Sequence, residues 1–121
     1  MRKKSAKPKA KKGGKKGGHC KPVDLVPPAP SPKDLYLSQM KKEGVIWHNK
    51  TDRGRTIRFK PQEWPFVEPP QEIQIPAGKK SKCFKIYQGA MKYYPFVYTV
   101  DPTLVPLNQP GPGDPSIVGD D

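Results

Sequence analysis

The chain has little with which to do chemistry. Its 121 residues include two cysteines, two histidines and three methionines. A four-ligand zinc site would need all of His19, Cys20, His48 and Cys83, with the basic N-terminal segment folded back to deliver two of them. There is no Gly-rich phosphate loop opening a helix, no G-x-S-x-G elbow and no H-E-x-x-H. Apolar residues are only 33% of the chain, and no run approaches the ~20 residues of a membrane helix. The basic N-terminus has no apolar stretch after it, so no secretory signal is expected. Two thiols with no evident reason to pair suit a reducing compartment. The expectation is a cytoplasmic protein that makes no use of a membrane.

Acid is scarce where base is dense. Residues 1–24 carry ten Lys/Arg against a single acid, Asp24, while residues 25–121 carry thirteen against ten. The net charge of +12 therefore belongs mainly to the N-terminal segment. Met1 to Gly18 runs through Lys, Pro, Ala and Gly, with Lys-Lys-Gly-Gly twice in succession. Gly and Pro oppose a helix there and like charges extend the chain. Val23 to Pro32 reads as a stiff proline-rich spacer. Residues 1–32 are thus expected to be a disordered tail and linker, and residues 33–121 the folded domain.

The fold class expected for that domain is mainly β, a small antiparallel β-sandwich with one short N-terminal helix. Ile73 and Ile75 lie two apart, as do Phe84 and Ile86, and as do Tyr94, Phe96, Tyr98 and Val100. A period of two puts each set on one face of a sheet. Pro76-Ala-Gly78 and Gly89 fall between these runs as turns. Val45 to Asn49 and Thr56 to Phe59 read as a hairpin around Asp52 and Gly54, and Ser116 to Val118 as a last short strand. The helix is expected over Ser31 to Glu43: Ser31 caps it, Pro32 opens it, Tyr36, Leu37 and Met40 form its apolar stripe, and Gly44 ends it. Trp64 and Phe66, among Pro61, Pro65, Pro69 and Pro70, read as a plug for one end of the core. Stacking on nucleobases is the rival role for those two rings.

The order Gly44-Val-Ile-Trp-His-Asn49, Thr56 to Phe59, Ile73-Gln-Ile-Pro-Ala-Gly78 and Tyr94 to Val100 resembles the cupredoxin-like sandwich of plastocyanins and azurins. The likeness covers about 75 residues. It implies a Greek-key sandwich, but the copper ligands of that family do not carry over. Gly54, Arg55 and Thr56 occupy the first-histidine region, Val100 stands where the strand would need its cysteine, and Asp101 to Asp121 holds neither histidine nor methionine. A blue-copper centre needs a thiolate and two imidazoles. The basic tail is similar in composition to those of linker histones.

These readings lead to a non-enzymatic binding protein with no cofactor, no metal site and no catalytic residues. Cys83 with His48 is the only thiol–imidazole pair outside the tail, and a packing role for Cys83 is the simpler reading. Glu63, Glu68 and Glu72 read as a solvated loop face. The candidate nucleic-acid-binding residues are Lys3, Lys4, Lys7, Lys9, Lys11, Lys12, Lys15 and Lys16 of the tail, with Arg53, Arg55 and Arg58 as a fixed patch on the first hairpin. The partners expected are nucleic acid or another polyanion for the tail, and an unidentified protein for the sandwich. The alternative is a cupredoxin-like metal-handling or protein-interaction module with an incidental tail.

Overall fold

A computed structural model of the chain describes residues 19–105 and 113–120. Eight strands form two sheets: β1 (Cys20–Leu25), β2 (Asp34–Ser38), β3 (Gly44–Asn49), β4 (Arg55–Phe59), β5 (Ile73–Ile75), β6 (Phe84–Lys85), β7 (Pro95–Asp101) and β8 (Ser116–Asp120). One sheet has the order β1-β3-β6 and the other β2-β8-β7-β4-β5. The only helical turn among the described residues is a three-residue 3-10 turn at Pro61–Glu63.

The strands expected from period-two spacing are present as β5, β6 and β7, the expected hairpin as β3 and β4, and the last short strand as β8. Inward residues of the two sheets interleave. Val23, Leu25, Val45 and Trp47 come from the smaller sheet, and Leu35, Leu37, Ile57, Ile73, Ile75, Tyr98 and Ile117 from the larger. Trp47 is fully buried at the centre, with the rings of Phe59, Phe66, Phe84 and Tyr98 all 5.5–6.2 Å away. Its indole N–H donates to the Tyr98 hydroxyl at 3.3 Å, a hydrogen bond that joins the two sheets.

Four expectations are corrected. The helix over residues 31–43 does not form: Asp34–Ser38 is β2, and residues 39–42 turn into β3. Leu35 and Leu37 are the buried pair, while Tyr36 and Met40 of the supposed stripe are exposed. A helix of about 11 residues is marginal on its own, and the parallel register of Leu35 with Ile117 and Leu37 with Gly119 buries more of this segment. The expected boundary near residue 32 also moves, because Cys20–Leu25 is β1, paired along its whole length with β3. Val23 and Leu25 lie opposite Trp47 and Asn49. Their alternation is the strand signal, and the neighbouring prolines obscure it. What was expected of residues 1–18 lies outside the described residues.

The sandwich is not purely antiparallel, since β1–β3 and β2–β8 are parallel pairs. Finally, the cysteines are not free. Cys20 and Cys83 form a disulfide, with Cα atoms 6.0 Å apart across 63 residues of sequence. Gly44 makes room for it, because a Cβ there would lie 2.7 Å from Cys83 Sγ and 2.7 Å from the Phe84 carbonyl oxygen.

Lys21 ties the open side of the two sheets together. From β1 its ammonium donates to the Tyr36 carbonyl at 3.0 Å and pairs with Glu43 Oε1 at 3.2 Å. The same carboxylate oxygen accepts the Ser38 N–H at 2.7 Å. A lysine on an edge strand also discourages pairing with another chain.

Candidate functional site

The three arginines of the β3–β4 hairpin do not form one exposed cationic patch. Arg55 is only 9% exposed. Its Nε donates to Thr51 Oγ1 at 3.0 Å, and Nη1 donates to the carbonyls of Pro102 and Thr103 at 2.7 and 3.1 Å. Burial and the neighbouring Arg53 charge push its pKa down, and Asp52 acts the other way; a guanidinium stays charged at any ordinary pH. Arg55 therefore fastens the β7–β8 connection to the hairpin. Arg58 is exposed but flanked by carboxylates, with Nε 2.8 Å from Glu72 Oε2 and Nη1 3.0 Å from Asp101 Oδ2. Its hydrogen bonds to Glu72 and Asp101 raise its pKa. Arg53 sits on the exposed turn, where its carbonyl accepts from Asn49 Nδ2 at 2.8 Å. The eight tail lysines, Lys3 to Lys16, lie outside the described residues.

That turn is built on Asn49, which is fully buried. Its amide donates to the carbonyls of Arg53 and Ile75 at 2.8 and 2.9 Å, and its oxygen accepts from the Thr51 N–H and hydroxyl at 3.0 and 2.6 Å. All of its hydrogen-bonding capacity in the plane of the amide is used.

The positions that the sequence resemblance matches to copper ligands hold no set of copper donors. Arg55 presents a cation where an imidazole is needed, and Val100, opposite Ile57 in the β4–β7 pair, offers no donor atom. The groove beside Val100, about 440 Å³, is also lined by Pro28, Pro30, Thr99, Leu104, Asp114 and Pro115, with Asp114 the only ionisable side chain among the described residues of its lining. Among the described residues no group of three or more His, Cys, Asp or Glu side chains is gathered as a metal would require. Cys83, bonded to Cys20, has no thiol for a base such as His48 to activate.

The two rings for which base stacking was the rival role are packed in the aromatic cluster of the core. Trp64 and Phe66 pack edge-to-face at 5.2 Å and both contact Phe59 and Phe84. The Trp64 N–H donates to the Glu68 carbonyl. Burial holds the Tyr98 phenol far above its ordinary pKa, so Tyr98 serves the core. Of the three acids on the loop face, Glu72 is taken by Arg58, and the Glu63 charge is the main cause raising the Tyr94 phenol.

A cationic cluster stands elsewhere. After the turn at Pro76–Gly78 the chain runs back along β3, with Lys80 bridged to His48. Lys79, Lys80 and Lys82 are exposed, and none is paired with a carboxylate among the described residues. The Lys82 ammonium lies 5.3 Å from the centre of the Phe84 ring. Sequence reasoning passed over this run because it sits between strands, where lysines usually mark solvent. The signal was there in Gly78-Lys-Lys-Ser-Lys82.

No protein-family model matches the chain, and no curated protein matches it. Five chains among solved structures do. One is an oxidised point mutant of amicyanin, 12% identical, which the alignment covers over 89% of this chain and 87% of that one with a TM-score of 0.49.

Proposed function

We propose that this chain is a non-enzymatic binding protein, a copper-less cupredoxin-like sandwich whose lysine-rich N-terminal segment tethers it to nucleic acid. The observation that carries the reading is charge placement: ten Lys/Arg against one acid in residues 1–24. Lysines near phosphates release condensed counterions, giving binding that is indifferent to sequence and steep in salt. Lys7 to Lys16 contains only Lys, Pro, Ala and Gly. A segment without large apolar side chains has no apolar anchor for a lipid surface, only the charge that it presents to any array of phosphates. The strand order and the Trp47-centred core support the sandwich as a rigid carrier, with a protein partner as its further ligand.

The compartment belongs to the same proposal. The expectation of a reducing, cytoplasmic setting rested on free thiols, and the Cys20–Cys83 bridge removes that support. A stable bridge suits an oxidising compartment.

The test is binding of fluorescent DNA and RNA duplexes across a salt series. The full chain is compared with a variant in which the eight tail lysines are Gln. Truncation after Asp24 is unsuitable because it removes most of β1 and Cys20. Eight phosphate contacts give a log–log slope of about −7 on B-DNA, which the Gln variant should lose. Equal binding by the two proteins would overturn the role given to the tail. Equal retention on polyglutamate and on DNA would replace nucleic acid with polyanions at large.

A further inference from the structure

The geometry points to a second, fixed contact for the same nucleic-acid backbone at Lys79, Lys80 and Lys82, which the Cys20–Cys83 disulfide holds at the root of the basic tail. This rests on the reading of the tail as a nucleic-acid tether, and adds where on the folded domain the strand continues.

The loop is rigid in a way that surface lysines seldom are. Gly78 N–H donates to the Asn49 carbonyl at 2.9 Å, Asn49 N–H to the Lys79 carbonyl at 2.9 Å and Ser81 N–H to the Trp47 carbonyl at 2.8 Å. Ser81 Oγ accepts from Trp47 N–H at 3.0 Å and donates to the Lys82 carbonyl at 2.7 Å. The backbone of Lys79 to Lys82 is thereby bound to the most buried strand of the smaller sheet, so three ammonium groups are presented without ordering cost to the main chain. The acid opposite His48 on that row, Asp24, is paired with Lys50 at 3.7 Å and does not reach the loop lysines.

The disulfide supplies the connection. It holds the Cα atoms of Cys20 and Cys83 at 6.0 Å, and Lys82 lies one residue, ~3.8 Å, beyond Cys83. In sequence Cys20 follows Lys16, the last of the eight tail lysines, by four residues. A strand held by the tail therefore meets the loop at high effective concentration, and the two contacts reinforce each other without new affinity in either. Arg55 and Arg58 of the hairpin cannot take this role, since Arg55 is buried and Arg58 is neutralised by Glu72 and Asp101.

The experiment uses the full chain and a fluorescent DNA duplex over a salt series, with thermal melts to confirm that each variant folds. One variant carries K79Q, K80Q and K82Q. A second carries K33Q, K60Q and K92Q, which remove the same charge from scattered sites. The loop variant is expected to lose more than tenfold in affinity near 0.1 M salt, and its slope to become shallower by about 2–3, as loss of that many phosphate contacts requires. The scattered variant should shift the slope by less than about 1. A tail-neutralised chain that keeps weak binding, abolished by adding the loop substitutions, would also support the site. Identical behaviour of the loop and scattered variants would overturn the inference while leaving the tail intact. Failure of the unsubstituted chain to bind DNA would instead overturn the tether, and this site with it.

Discussion

Asn49 shows how one side chain can hold an end of the sandwich. It sits fully buried and satisfies four hydrogen-bonding groups of the β3–β4 turn and of β5. Asn49→Ala would take a donor from the Ile75 and Arg53 carbonyls and the acceptor from the Thr51 N–H, around a side chain that is fully buried. The expected cost is about 3 kcal/mol, measured as a fall in the urea midpoint with unchanged m. Glu43 makes a different prediction. Burial works to raise its carboxyl pKa, but the Ser38 N–H, Lys21 and His19 outweigh burial and hold it below the ordinary value of 4.5. A depressed folded pKa gives stability that is present above the unfolded pKa and is lost as pH falls through the folded one. Unfolding free energy should therefore decline as pH drops below about 4.5. Glu43→Gln should flatten that limb, and a wild-type acid slope in this variant would refute the assignment. In the sequence Glu43 looked like the last residue of a helix. Only the return of β1 beside β2 gives it Lys21.

Among the elements, β2 shows how local signals can mislead. Ser31, Pro32, Asp34 and Gly44 are each sound helix punctuation, yet the segment is a strand because Leu35 and Leu37 complete the core against β8. Strand formation here depends on a partner about 80 residues away, and no window of sequence contains both. β1 was missed for a different reason, the prolines around it that mask the alternation of Val23 and Leu25. Its pairing with β3 is secured by the disulfide, which closes a loop spanning 63 residues. Loop-closure entropy alone assigns such a cross-link about 4 kcal/mol. The Cys20→Ala, Cys83→Ala double variant should therefore show a melting temperature lower by more than 10 °C, following the usual scaling for a domain near 100 residues. A change of under about 2 °C would mean that β1 docks equally well without its bridge.

For the molecule as a whole, charge and core are separated along the chain. Binding of nucleic acid through the tail and the Lys79–Lys82 loop should be independent of duplex sequence, because ammonium groups meeting phosphates read no base edges. The sequence by itself determined the period-two strands β5, β6 and β7, the hairpin strands β3 and β4, the short last strand β8, the aromatic plug at Trp64 and Phe66, and the concentration of positive charge before residue 25. Each of these is written in neighbouring residues, through side-chain alternation, proline placement or composition. The tertiary structure alone decided that residues 20–25 and 34–38 are strands in parallel pairs, that Cys20 meets Cys83, and that Arg55 and Arg58 are taken up internally. It also decided that the backbone of the Lys79–Lys82 loop is hydrogen-bonded along β3, next to the Cys20–Cys83 bridge. Those outcomes depend on which distant segments share a face, and the energy that selects them is gained only when the two sheets close over Trp47.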